Sequence, residues 1–433
     1  MLVTANNVRE ILDGHILTDG LFQVIDFDKS EGSWLVDKAT GQKYLDCFGQ
    51  FASLPLGYNH PRLLQHKDRL TKAALCKVVN SDLYSCEYAG FVKTFFKKAL
   101  PKKKTTGLNV FKYAFFIEGG SPAIENALKI AFDWKAKRLG ITDVLSQNLD
   151  VIHLKECFHG RGGYTMSLTN TGPIKTDYFP KFQWTRILNP KITFPLDTEQ
   201  ISKLEDHSIS QAEHALKRGN VAAIIMEPIQ GEGGNNMFRI EYFQAIKELA
   251  DRYDALLIFD EVQTGMGASG KWWCHEYYVT PDIMVFGKKS QVCGLVARPE
   301  RLDLVKNHCF KQSGRINSTW GGNIVDMVRA EILIDIIDKD NLIDSTQKVG
   351  SYLVAKLREI EAVSAILSNV RGLGTLVAFD LPTGDIRDKV LKKLQQKMII
   401  LGCGEKSIRF RPALTFTKAD VDIAVEYVRE SLK

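Results

Sequence analysis

The chain has 433 residues, 45% of them hydrophobic and 25% charged, with a net charge of +6. These proportions are those of an ordinary globular protein and exclude a disordered, collagen-like or disulfide-stapled one. Lys102-Lys103-Lys104 is too short for a nucleic-acid patch, and no apolar stretch approaches the ~20 residues needed to cross a bilayer. Eight cysteines without a Cys-x-x-Cys pair read as reduced thiols. The opening Val8-Arg9-Glu10-Ile11-Leu12 is amphipathic and carries an acid, unlike a secretory or transit segment, so a cytoplasmic enzyme is expected.

An early helix is followed by short strands around Phe22–Ile25, Ser33–Val36 and Lys43–Asp46. Gly57-Tyr58-Asn59-His60-Pro61 then marks a turn-rich boundary. From there to about residue 320, apolar runs alternate with amphipathic helices. The runs are Tyr113–Ile117, Val151–Leu154, Ala222–Met226, Leu256–Phe259 and Ile283–Phe286, with helices such as Ala123–Lys137 and Glu241–Tyr253 between them. Short continuous runs of this kind predict strands buried on both faces, hence an α/β core with a mainly parallel sheet. A long helix over Asp326–Asp340 leads to strands at Thr375–Phe379, Met398–Ile400 and Ile408–Phe410 and a last helix from Lys418. The predicted organisation is an N-terminal segment (1–60) that joins the small domain, a large domain (61–322) and a smaller α+β domain (323–433).

In such sheets chemistry gathers at the carboxyl ends of strands, and the polar motifs lie there. Glu118-Gly119-Gly120-Ser121-Pro122 opens a helix whose free N–H groups suit an anion, with Ser121 as a possible cap. Alone it reads more readily as a plain capped helix start. Phe158 in Cys157-Phe158-His159-Gly160-Arg161 can stack on an aromatic ring, and Arg161 can grip a carboxylate. No second histidine or cysteine stands at ligand spacing from His159, so no metal site is expected, and His159 reads as hydrogen-bonded in the core. Glu227-Pro228-Ile229-Gln230-Gly231-Glu232 sets two acids on a Gly-rich loop, where one could neutralise an arginine until a substrate carboxylate replaces it.

Asp260 ends one apolar run, and Lys288-Lys289 follow another. A buried acid can keep a pyridine nitrogen protonated while a desolvated lysine forms a Schiff base and later moves protons. Five such motifs in order at strand ends point to one mechanism.

Together these residues resemble the class III pyridoxal-phosphate aminotransferases of fold type I, over nearly the whole chain. Gly163–Thr171, Phe179-Pro180-Lys181-Phe182, Phe286–Gly294 and Asn317–Asn323 resemble the lysine 6-aminotransferase group in particular. The resemblance implies pyridoxal 5'-phosphate as cofactor, with Gly120 and Ser121 at its phosphate, Phe158 and Val262 on its ring faces, Asp260 at the pyridine nitrogen and Gln263 near the phenolic oxygen. It implies Lys289, counted five residues before Gly294, as the Schiff-base lysine, with Lys288 as a neighbouring charge that lowers its pKa. Thr319 would come from the second subunit of a homodimer. Arg161, Asn317 and Arg409 would bind substrate, with Glu232 masking Arg409. The implied reaction is ping-pong transfer of the ε-amine of L-lysine to 2-oxoglutarate, giving 2-aminoadipate 6-semialdehyde and L-glutamate. Phe51, where ornithine aminotransferases carry tyrosine, and the 4-aminobutyrate-aminotransferase look of Cys403–Pro412 leave ornithine and 4-aminobutyrate open as donors. A racemase or decarboxylase of the same fold type, or a non-catalytic cofactor-binding protein, also remains open.

Overall fold

A computed structural model describes residues 2–143 and 148–433. The N-terminal segment contributes an antiparallel ribbon, β1 (Trp34–Val36) with β2 (Lys43–Asp46). The expected strand at Phe22–Ile25 does not form: only Ile25 makes an isolated bridge, to Asp37, and Phe22 is exposed. The run touches the end of β1 only briefly, through the Lys38 N–H to the Val24 carbonyl at 2.7 Å and the Asp26 N–H to the Val36 carbonyl at 2.9 Å, and β propensity alone does not extend that into a ladder.

The large sheet follows, with β3 (Tyr113–Ile117), β4 (Asp150–Leu154), β5 (Arg186–Ile187), β6 (Val221–Met226), β7 (Leu256–Asp260), β8 (Ile283–Phe286) and β9 (Cys293–Ala297). Its strand order is β3-β9-β8-β7-β6-β4-β5. Neighbours pair in parallel from β5 through β8, while β9 runs antiparallel to both β8 and β3. Every residue of β6, β7 and β8 is buried, as their unbroken apolar runs require. Helices Gly120–Arg138 and Ile240–Arg252 form where amphipathic runs predicted them, and both pack against the sheet. Strand β9 is new relative to the sequence reading. It is wedged tightly, since a Cβ on Gly294 would meet the Phe115 carbonyl oxygen at 2.3 Å.

The last part holds β10 (Ser368–Leu373), β11 (Leu376–Asp380), β12 (Met398–Ile399), β13 (Leu401–Cys403) and β14 (Ser407–Phe410). Four of these form an antiparallel sheet in the order β10-β11-β14-β13, while β12 pairs in parallel with β2. The N-terminal ribbon thus joins the C-terminal part in space. Helices Leu342–Glu361, Gly384–Leu394 and Lys418–Ser431 cover this sheet and share its core. The preceding helix, Ile324–Lys339, instead buries Met327, Leu333 and Ile337 with Phe91, Phe95 and Phe286. A boundary after residue 322 therefore precedes a helix whose core lies with the large sheet.

Among the described residues all eight cysteines are free, and no helix is long and apolar enough to cross a membrane.

Candidate active site

Five strand ends converge on one edge of the large sheet. There a cavity of about 550 Å³ is lined by Gly120, Ser121, Phe158, His159, Glu227, Asp260, Val262, Gln263 and Lys288, with Ser53, Gln291, Cys293 and Asp326 completing its wall.

Asp260 is the last residue of β7 and is buried. One carboxylate oxygen accepts from the Val262 N–H at 3.0 Å, and the other lies 2.8 Å from Nδ1 of His159. The histidine is therefore a core hydrogen-bonder, as the sequence suggested, and its partner is the acid of the site. Its Nε2 is buried and finds no hydrogen-bond partner among the described residues. Glu227, just past β6, is also buried and accepts from the Phe158 and Gly231 N–H groups at 2.9 and 3.1 Å. Burial first, and the nearby Asp260 carboxylate second, push its acid well above the usual range. Glu227 thus fixes the backbone behind Phe158, and Asp260 presents its carboxyl group to the cavity.

Helix Gly120–Arg138 aims its first turn at the same cavity, so its unpaired N–H groups face an anion-sized space. Ser121 is not its cap. Gly119, at φ 104°, takes the cap position, and the Ser121 hydroxyl lies 2.8 Å from that of Thr165 and accepts from the Gly162 N–H at 3.2 Å. Gly120 is tightly placed: a Cβ there would lie 3.1 Å from Val262 Cγ1.

The structure separates the two adjacent lysines. Lys288 lines the cavity, whereas Lys289 is buried away from it and donates from Nζ to the Pro412 carbonyl at 3.0 Å. Counting residues to Gly294 could not show this, because the choice is made by backbone geometry. After β8 the chain passes through an extended Gly287, then Lys288 takes φ 51° and starts a single tight turn, Lys288–Ser290. A left-handed, non-glycine residue costs on the order of 1 kcal/mol and redirects its side chain relative to the strand. The Lys288 ammonium lies 5.6 Å from the centre of the Phe51 ring. Burial, then Arg409, lower its pKa, against the pull of Asp260 and Glu232. Burial also lowers Lys289, to about 7, with Asp46 opposing and Arg411 assisting.

Arg409, on β14, and Glu232, on the loop after β6, are paired at 2.7 Å, and Arg409 also donates to the Gly231 carbonyl at 3.0 Å. The other Glu232 oxygen accepts from Lys175 at 2.7 Å. Burial alone would raise the Glu232 acid, but Arg409 and Lys175 together outweigh it and hold it below its usual value. Gln263 stands against this loop: a Cβ on Gly231 would meet its Oε1 at 2.5 Å.

Six expected residues do not line this cavity. Lys289 is buried behind it, and Glu232 and Arg409 form their pair outside its wall. Arg161, Asn317 and Thr319 are exposed; the Thr319 carbonyl accepts from the Ser81 hydroxyl at 2.9 Å. Conversely, Lys175 carries no signal in the sequence, and Glu227 and His159 read there only as a loop acid and a core histidine.

An acid, a desolvated amine, flat walls and a helix N-terminus in one cavity are the parts a pyridinium cofactor needs. The family profile described as Aminotransferase class-III matches residues 19–432. The chain belongs to the class III aminotransferases.

This class III aminotransferase is 43% identical over 439 residues to the L-lysine-epsilon aminotransferase of Amycolatopsis lactamdurans, covering 99% of this chain and 96% of that protein. It is 34% identical to a 4-aminobutyrate aminotransferase of Kluyveromyces lactis, covering 94% of this chain and 90% of the relative. Its structure superposes on a lysine aminotransferase from M. tuberculosis, solved in the internal aldimine form, with a TM-score of 0.94, 43% identity and 99% coverage of both chains. The fold is therefore fold type I, and the enzyme is a pyridoxal 5'-phosphate-dependent aminotransferase. The cavity fits that cofactor: Asp260 supplies a buried carboxylate, Phe158 and Val262 supply apolar walls, and Lys288 supplies an amine.

Proposed function

We propose that this aminotransferase takes the ε-amino group of L-lysine and delivers it to 2-oxoglutarate, releasing 2-aminoadipate 6-semialdehyde and L-glutamate. The observation that carries the donor is the identity of 43%, over almost the full length, to an L-lysine-epsilon aminotransferase, against 34% for the 4-aminobutyrate enzyme. Either way, one pocket must accept a terminal amine in one half-reaction and an α-keto dicarboxylate in the other.

Pyridoxal phosphate, when bound, supplies an electron sink that makes the carbon bearing the amino group acidic. The chain's own residues supply the rest. Gly120, Ser121 and the helix N-terminus would hold the phosphate, Phe158 and Val262 would enclose the ring, and Gln263 would meet the phenolic oxygen. Asp260, oriented by His159, would hold a proton on the ring nitrogen. We assign the covalent amine and the proton-moving base to Lys288 rather than Lys289, because Lys288 lines the cavity beside Asp260 and burial lowers its pKa. Glu232 would screen Arg409 while the amine end of lysine reacts and release it for the carboxylate of 2-oxoglutarate. Arg161 and Asn317 would contact substrate at the mouth. Thr319, exposed on this chain, would complete the phosphate site of a second copy, making a homodimer the active unit. The proposal also retains the cytoplasm as its compartment and the division into segments 1–60, 61–322 and 323–433, with the helix after residue 322 packed on the larger part.

The test is a single half-reaction. The holoenzyme is mixed with L-lysine, L-ornithine or 4-aminobutyrate singly, without acceptor, and the cofactor's visible absorbance is followed. L-Lysine should discharge the band fastest and yield a semialdehyde that can be trapped. A response to 4-aminobutyrate but not to L-lysine would transfer the assignment to that donor.

A further inference from the structure

Lys175 lies in the short turn Pro173–Lys175, outside every expected site motif. Its Nζ is 2.7 Å from Glu232 Oε1, while Arg409 Nη2 is 2.7 Å from Glu232 Oε2. The same ammonium reaches the Thr171 hydroxyl at 3.2 Å and stands 5.5 Å from the centre of the Phe158 ring. One carboxylate is therefore shared by two cations from different parts of the fold. The main chain of Glu232 is fixed independently, its carbonyl accepting from the Gly404 N–H at 2.8 Å. Only the side chain is left to swing.

Both cations do not gain equally from that sharing. With Glu232 on Arg409, two positive groups crowd one carboxylate and repel each other. Once a substrate carboxylate occupies Arg409, Glu232 needs another partner, because an abandoned, half-buried charge is costly. Lys175 is already on its far oxygen and needs no long travel. Its contact strengthens when it no longer shares the carboxylate, so it stabilises the released arrangement more than the screened one.

We propose that Lys175 is a positioning residue that receives Glu232 when a substrate carboxylate takes Arg409, and so sets the affinity for the dicarboxylate acceptor independently of that for the amine donor. This rests on the reading of Glu232 as the screen of Arg409. Lys175 itself need touch neither substrate nor cofactor.

The experiment measures the two half-reactions separately on the holoenzyme: L-lysine with the cofactor in its aldehyde form, and 2-oxoglutarate with the aminated enzyme. Lys175→Met keeps the length of the side chain and removes the charge. It should weaken 2-oxoglutarate binding roughly two- to five-fold, the scale of a partly exposed ion pair, and leave the L-lysine half-reaction unchanged. Lys175→Arg should restore acceptor binding, which a loss of local packing would not predict. In a Glu232→Ala background, Lys175→Met should have no further effect on the acceptor. An equal change in both half-reactions, or none, would overturn the assignment of Lys175. If Lys175→Met has no effect while Glu232→Ala alone shifts the balance between the half-reactions, only the Lys175 inference fails. If Glu232→Ala leaves that balance unchanged, the screen fails and Lys175 with it.

Discussion

The two adjacent lysines should behave as different kinds of residue. Lys288→Met removes the amine of the cavity, and turnover should fall by at least ~10³-fold, since both covalent attachment and proton transfer are lost. The fold should survive, because Lys288 packs against the cavity and not into the core. Lys289→Met should act on stability instead. The Lys289 pKa falls from 10.5 to about 7 on folding, chiefly through burial. Between those values the unfolded chain binds more protons than the folded one, so stability rises with pH across that window and is lowest at and below pH 7. At 1.36 kcal/mol per unit, the protonated lysine costs on the order of 2–5 kcal/mol once local relaxation is allowed for. Methionine has no charge to bury. The variant should therefore be more stable than the parent at pH 7, the gap closing as pH approaches 10. The assay is the urea midpoint at pH 7, 8, 9 and 10, at fixed protein and cofactor concentration, beside turnover and cofactor absorbance at pH 8. A gap that does not change with pH would refute the burial argument. Loss of turnover and absorbance in a folded Lys289→Met, with both retained in Lys288→Met, would refute the assignment of the two side chains.

Further outcomes follow from the same geometry. Asp260→Asn should keep the fold and bind cofactor, because Asn can still accept from the Val262 N–H, yet slow turnover roughly 10²–10⁴-fold in single-turnover kinetics; an unaltered rate would remove Asp260 from the chemistry. Glu232→Ala should leave Arg409 permanently open and shift the ratio of the two half-reactions towards 2-oxoglutarate, measured by stopped-flow absorbance. Gly231→Ala should drive Gln263 out of place, because the added methyl would lie 2.5 Å from its amide oxygen, and cofactor retention on dialysis should fall about tenfold or more. Gly294→Ala should cost ~2 kcal/mol or more by thermal denaturation, since β9 cannot retreat from the Phe115 carbonyl; a neutral result would show that the edge of the sheet is softer than its packing implies.

The large sheet was legible because β6, β7 and β8 are buried on both faces and so write themselves as continuous apolar runs. Strand β9 was missed for a related reason: Cys293-Gly294-Leu295-Val296-Ala297 follows a tight turn without the helix that separates its neighbours, and it runs antiparallel. Asp260 could be read because its position at a strand end defines its direction. Which of the two lysines faces the cavity could not be read, because a positive φ at a lysine has no signature in composition or spacing. Lys175 was invisible for a third reason. Its contact with Glu232 spans 57 positions of sequence and depends on where two loops fold. Long-range ion pairs of this kind belong to the assembled fold, not to any local motif.

The bond from Lys289 to the Pro412 carbonyl also bears on when the protein becomes competent during synthesis. It joins residues 123 positions apart, and Gln291 in the same turn reaches back 238 positions to the Ser53 carbonyl. The ribosome releases Ser53 well before Pro412. Until Pro412 emerges, the turn carrying Lys288 lacks one of the long-range bonds that hold it, although the strands beneath it can already pair. A nascent chain cut before Pro412 should therefore carry a formed sheet with this turn unset, and cofactor capture should wait until Pro412 has been added.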